Sequence, residues 1–200
     1  MQRLQSTILR AVTAAAAIAL LAPAGATAGS GGAAYVPPPP PAKRAKIVDG
    51  VAIPPAGAPA RVKNAIAAAN RIVRKPYIYG GGHSVLKGNP LTTALDRGYD
   101  CSGTISFALY GGRFLTSPLN SSGFLGWGDS GQGRWITVYT NPGHAYVVIA
   151  GLRLDTSAAG ISRRARGSRK ANPKAFERGP RWRPSTRASA GFKRRHPVGL

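Results

Sequence analysis

The chain has one cysteine in 200 residues, Cys101, inside the stretch YDCSGTISFALYGG at positions 99–112. A single thiol cannot close an internal disulfide. In an exported protein it is an intermolecular crosslink, an inert buried group or a reactive one. Its neighbours favour the last. Asp100 is a good helix N-cap, so Cys101 falls in the first turn of a helix. Free backbone N–H groups and the helix dipole favour negative charge at that place, which lowers a thiol pKa and makes the thiolate a nucleophile. The same N–H groups suit the oxyanion formed when a thiolate attacks a carbonyl.

Such a nucleophile needs a base within hydrogen-bond reach, and the base needs an orienting partner. His144 follows the turn NPG and opens the most apolar run of the chain, HAYVVIAG, so its backbone is held firmly. Asp155 lies on the next run. A hairpin centred near Gly151 brings His144 and Asp155 roughly opposite each other. His196 is the alternative orienting group, although it precedes a proline near the C-terminus. His83, in a glycine-rich loop, reads as a solvated loop residue.

Other chemistry is excluded by what the chain lacks. It has only six acidic residues, Asp49, Asp96, Asp100, Asp129, Asp155 and Glu177, with no close pair for glycoside hydrolysis. No Cys–Cys or HExxH spacing offers a zinc site, and the three histidines are far apart, so neither metal nor cofactor is expected. YGGGH has glycines but not the spacing or strand–helix context of a pyrophosphate loop.

The elements that must position these residues are legible from periodicity. Val62, Ile66, Ala69, Ile72 and Val73 mark one face of a helix over 58–75, stopped by Pro76. A glycine-rich loop runs from YIYGGG to Tyr99. A short helix follows Asp100 and ends at Gly111–Gly112, and a long loop spans 117–133. Residues 134–140, 144–150 and 152–156 read as an antiparallel meander whose middle strand is central and buried. GFKRRHPVGL reads as a last edge strand. No internal repeat is present.

The ends of the chain differ in character. Arg3 and Arg10 precede the apolar run AVTAAAAIALLAPAGA and the small-residue site ATA, which predicts a signal peptide over 1–28 cleaved after Ala28. The run is too short and too broken for a stable membrane span. Residues 29–57, with five consecutive prolines, read as a linker. Residues 58–200 suffice for one hydrophobic core. The formal net charge is +22, concentrated late in the chain, and 158–190 reads as a basic loop. A run of like charge is by default a solvated segment. Functionally it attracts anionic polymers, in an exported protein those of the cell wall. No specific nucleic-acid partner is expected, and the protein is expected to be a monomer.

Taken together, YIYGGG, YDCSGTISFALYGG and GHAYVVIAGLRLDTS, in that order behind a signal peptide, resemble the NlpC family of papain-like bacterial cell-wall cysteine peptidases. The resemblance covers about residues 58–157. It implies an α+β fold, with a nucleophile helix packed on a small antiparallel sheet, and cleavage of peptidoglycan stem or crosslink peptides, commonly between D-glutamate and a diamino acid. By the same resemblance, Cys101 matches the nucleophile and His144 the histidine opening the second core strand. Asp155 falls near the third polar residue, which in the family is often histidine. Tyr77 matches a tyrosine that positions the site, and Ser102 the adjoining residue that faces the substrate. The chain departs from the pattern in GRWITVYT, where the family has a GDLVFF-like strand, and in its basic segment 161–195.

The sequence-level reading is therefore a secreted or wall-associated cysteine endopeptidase acting on peptidoglycan. Two alternatives fit the same residues: an amidase or acyltransferase of the same fold, and a non-catalytic basic wall-binding protein.

Overall fold

The computed structural model describes residues 44–84, 88–157, 179–184 and 187–200. The chain divides into residues 1–38, outside the described residues, and a unit of residues 39–200 that contains all of them. The expected signal peptide and most of the expected basic loop likewise lie outside the described residues. Among the described residues no helix is long and apolar enough to cross a membrane.

Two helices and a six-stranded antiparallel sheet form the body. Helix α1 (Ala60–Ile72) buries Val62, Ala65, Ile66, Ala68, Ala69 and Ile72. It stops three residues before the expected end: the chain turns at Val73–Lys75, where the Lys75 N–H donates to the Ile72 carbonyl (2.9 Å). Pro76 disfavours a helical Lys75, so the turn falls where the backbone must leave the helix. Helix α2 (Cys101–Gly111) is buried along nearly its whole length. It contains glycine and β-branched residues and is a poor helix former alone. Packing supplies what propensity lacks. A Cβ on Gly111 would collide with the Ala68 side chain of α1, so glycine there permits close helix–helix approach.

The sheet comprises β3 (Asp129–Ser130), β4 (Ile136–Asn141), β5 (His144–Ile149), β6 (Leu152–Asp155), β7 (Arg181–Pro184) and β8 (Lys193–His196), in the order β3-β8-β4-β5-β6-β7. The expected meander is present as β4-β5-β6, with β5 inside the sheet. Two strands of this sheet escaped the sequence reading. β7 is RWRP, which lacks an apolar alternation. Trp182 turns into the core, while Arg181 donates to the Val73 and Lys75 carbonyls just past the end of α1. β3 is only two residues long. Its pairing with β8 corrects another expectation: the C-terminal strand is not at the edge but lies between β3 and β4.

Residues 44–57, expected as linker, are also corrected. They form a hairpin of β1 (Lys46–Val48) and β2 (Val51–Ile53) closed by Asp49–Gly50, both at positive φ, as a two-residue Asp-Gly hairpin turn requires. Asn70 of α1 holds it. The Asn70 amide donates to the Ala52 carbonyl and accepts from the Ala52 N–H, both at 2.9 Å, and its oxygen also accepts from Trp182 Nε1 at 2.7 Å. One side chain thus ties the hairpin and β7 to α1.

The main core lies between the helices and one sheet face, where Val138, Val147, Ile149, Leu152 and Leu154 meet Ile66, Ile105 and Leu109. The architecture is α+β, with α2 packed on the antiparallel sheet, as the resemblance implies.

Candidate active site

Asp100 builds the first wall. Its Oδ1 accepts the Gly103 N–H (2.7 Å), and its carbonyl accepts the Thr104 N–H (3.0 Å), so two first-turn donors of α2 are satisfied by one residue. Its Oδ2 accepts the Gly80 N–H (3.1 Å), while Asp96 Oδ2 accepts that of Gly82 (2.9 Å). The glycine-rich loop is thereby drawn onto the helix start. A Cβ on Gly103 would collide with the Gly81 carbonyl oxygen, so YGGGH and DCSG are glycine-bearing because two backbones touch.

This approach corrects the reading of His83 as a solvated residue. Its Nε2 lies 3.1 Å from Asp100 Oδ1 and 3.2 Å from Ser102 Oγ. Ser102 is buried, and its hydroxyl also donates to Asp100 Oδ1 (3.2 Å). The Ser102 side chain is thus spent on the cap. Tyr77 is half-buried in the segment joining α1 to this loop.

The second wall is the start of β5. Asn141 Oδ1 accepts the N–H groups of Gly143 and His144, both at 2.9 Å, and so fixes where the strand begins. His144 Nε2 lies 3.1 Å from Asp155 Oδ1. Cys101 lies close enough for its thiol and the imidazole to shift each other's ionisation. Asp155 is fully buried in its side chain and is saturated: Oδ1 also accepts the Ser157 N–H (2.9 Å), and Oδ2 accepts from Arg187 Nη1 (2.9 Å) with Arg153 Nε at 3.5 Å. The structure thus gathers Cys101 and Asp155 about His144, with Asp155 hydrogen-bonded to the imidazole and Cys101 coupled to it electrostatically. It leaves out His196, whose Nδ1 lies 3.1 Å from the Pro197 carbonyl.

Burial by itself pushes the Cys101 thiol up. Hydrogen bonds from His144, from the Ser121 hydroxyl at 3.6 Å and from the Ala145 N–H outweigh it, and the thiol ends below its ordinary value. Burial pushes His144 down, but its bonds to Asp155 and Cys101 win and raise it from 6.5 to about 9. Burial opposes the charge on Asp155 too; the bond to His144 and the Ser157 N–H hold it well below the usual carboxylate range. All three directions favour a thiolate–imidazolium pair backed by a carboxylate.

Ser121 was not singled out by sequence. It sits in the loop before a 3₁₀ turn (Gly123–Gly126), and its carbonyl accepts from Thr140 Oγ1 at 2.5 Å. A serine among SPLNSSG carries no local signal, because only the packing of that loop on β4 brings it to the sulfur. Among the described residues, no three His, Cys, Asp or Glu side chains gather as a metal-ligand set.

No family model matches the chain, and no curated protein does. Among solved structures, the chain is similar to the peptidoglycan hydrolase RipB from Mycobacterium tuberculosis, with 19% identity, a TM-score of 0.47, and 74% of this chain and 70% of that one covered. It is also similar to a mutated form of the resuscitation-promoting-factor-interacting protein RipA, with 18% identity, a TM-score of 0.42, and 68% and 61% covered. At TM-scores below 0.5 neither likeness says what this chain does.

Proposed function

We propose that the protein is an exported cysteine peptidase that hydrolyses amide bonds in peptidoglycan peptides. The observation that carries the chemistry is the gathering of Cys101 and the buried Asp155 about His144, with Asp155 hydrogen-bonded to the imidazole and the thiol and imidazole shifting each other's ionisation. A thiol lowered and an imidazole raised by each other are the resting state of a cysteine nucleophile.

The Cys101 sulfur attacks the amide carbonyl carbon, forming a C–S bond and an oxyanion. The Gly103 and Thr104 N–H groups are already taken by Asp100. Those of Cys101 and Ser102, at the start of α2, are the ones placed to stabilise that oxyanion. His144 gives its proton to the departing amine as the C–N bond breaks, leaving a thioester. It then takes a proton from water, which attacks the thioester and frees the thiolate. Asp155 holds the imidazole in place and stabilises its charged form. Tyr77, on the segment leading into the glycine loop, is the proposed positioning residue for this site.

The substrate class rests on the sequence motifs and on the charge of the chain. Of the six acids, Asp96, Asp100 and Asp155 are used inside the fold, and only Asp49 and Asp129 are exposed among the described residues. The remaining surface charge is cationic and suits anionic wall polymers.

The test is digestion of purified peptidoglycan by the chain lacking residues 1–28, with new amino groups counted and products identified by mass. Release of peptide fragments that Cys101→Ala abolishes supports the reading. Intact peptidoglycan under conditions where Cys101 still alkylates rapidly would overturn the substrate assignment. Release of whole stem peptides from sugar, rather than cuts within the peptide, would mark an amidase.

A further inference from the structure

The sequence reading left Arg187 within a solvated basic run, yet the structure spends it inside the site. Its Nη1 donates to Asp155 Oδ2 at 2.9 Å and to Ser157 Oγ at 2.7 Å. Its guanidinium lies 5.2 Å from the Tyr146 ring centre and 5.4 Å from that of Phe192. Phe192 in turn stands edge-on to the His144 imidazole (6.3 Å, 78°) and to Tyr146 (5.2 Å, 72°). Residues from beyond β7 thus form a third wall over the imidazole–carboxylate pair, on the sheet face away from the helices.

We propose that Arg187 is a positioning residue for His144, acting through Asp155, with Phe192 as the apolar backing of the imidazole, so that the stretch 187–192 completes the site. The proposal rests on the cysteine-peptidase reading above.

The physical reason begins with Asp155. A fully buried carboxylate needs every lone pair satisfied, and Oδ1 serves His144 and Ser157. Oδ2 faces Arg187 and Arg153, but Arg153 Nε has no hydrogen-bond partner among the described residues and lies 3.5 Å away. Arg187 therefore makes the one hydrogen bond on that oxygen among the described residues. Its bond to Ser157 and its two aromatic neighbours fix the plane of the guanidinium and, with it, the carboxylate.

The cation also partly neutralises Asp155 and so limits how strongly the carboxylate favours imidazolium. That matters because a base must return to its neutral form to activate water. Among the described residues, the other groups facing the pair are Cys101 on α2, Tyr146 on β5 with Tyr139 stacked on it from β4, Arg153 on β6 and Arg183 on β7. Arg187 is hydrogen-bonded to Asp155, and Arg153 Nε is not.

The test is NMR titration of the His144 imidazole in the mature chain, assigned with His144→Ala, beside the rate of Cys101 alkylation. In Arg187→Gln the His144 pKa is expected to rise by about half a unit or more, since a cation near the carboxylate is lost. In Arg187→Lys, which keeps the charge without the planar fork, the pKa is expected near wild type, with alkylation at neutral pH about three- to tenfold slower. A purely structural arginine would not produce that division. An unchanged or lowered pKa in Arg187→Gln overturns the proposal, and if that variant does not fold, an unaltered alkylation rate in Arg187→Lys does so. An ordinary thiol titration of Cys101 in the wild type would instead count against the peptidase reading, and the His144 titration would still decide the role of Arg187.

Discussion

His144 and Asp155 meet diagonally across β5 and β6 rather than directly opposite. Val147 pairs with Leu154 and Val148 with Arg153, so continuing that register sets Tyr146, not His144, across from Asp155. The turn between the strands is two residues, Ala150 and Gly151, both at positive φ, which fixes the register. A diagonal neighbour is farther away than a direct one but within reach of two extended polar side chains. The imidazole and carboxylate close the gap at 3.1 Å.

The first consequence is a pH window for the thiolate–imidazolium pair. Its lower edge is set by Cys101, whose pKa is below 9.0, and its upper edge by His144 at about 9. Alkylation rates from pH 4 to 10 should stay high well below the ordinary thiol range, and turnover of peptide should fall above pH 9 as the imidazolium needed to protonate the amine is lost. In His144→Ala, alkylation should be slow at neutral pH and rise only with ordinary thiol ionisation.

Replacing Asp155 by Asn removes the charge that supports His144. Turnover should drop by about 10²–10⁴-fold, and the alkaline limb should move downward from about 9. Stability carries a second signature. Asp155 has a depressed pKa, so it stabilises the fold above the unfolded carboxylate value of 3.8, and that contribution is lost as pH falls through the folded value. His144 has a raised pKa, so its contribution is complete below 6.5 and is lost as pH rises through about 9. Urea midpoints across pH 2–10 should show both losses in the wild type, and Asp155→Asn should lack the acid one.

Ser121 offers a milder test of the sulfur's surroundings. Ser121→Ala removes one donor and leaves the His144 and Ala145 bonds. Alkylation at pH 5–6 should slow by about two- to fivefold with no shift of the alkaline limb, since one neutral hydrogen bond is worth about 1 kcal/mol. A profile identical to wild type would show that the 3.6 Å contact does nothing for the thiolate.

Gly103→Ala should affect stability and site together. The new methyl group meets backbone on the glycine loop, which cannot yield as a flexible side chain does. A loss of about 1–3 kcal/mol is expected from overpacking, read by urea unfolding, with slower Cys101 alkylation because the helix start must shift.

Asn70→Ala should strip the β1–β2 hairpin from α1. It leaves the Ala52 backbone and the Trp182 indole without their shared partner. The expected cost is about 2–3 kcal/mol. Limited proteolysis should then cut near residues 44–57 first, and resistance there equal to wild type would argue that other contacts hold the hairpin.

Local pattern alone determined a good deal of this protein. The apolar spacing of α1, the Asp100 cap, the alternation of β4, the apolar run of β5 and the turn before β6 each act within a dozen residues, and they were legible for that reason. So was the approach of Asp155 to His144, because a tight hairpin returns one strand alongside the other. Tertiary structure decided the rest. Nothing in RWRP announces a strand, since β7 gains its stability by pairing with β6 and inserting Trp182 into a core made elsewhere. The hairpin at 44–57 is short and apolar only in part, and it is held by Asn70, a side chain distant in sequence. His83, Ser121 and Arg187 join the site through loops whose composition is that of solvent-exposed chain. Their roles come from contacts of 17 to 32 residues in sequence separation, which only the folded backbone brings within hydrogen-bond distance.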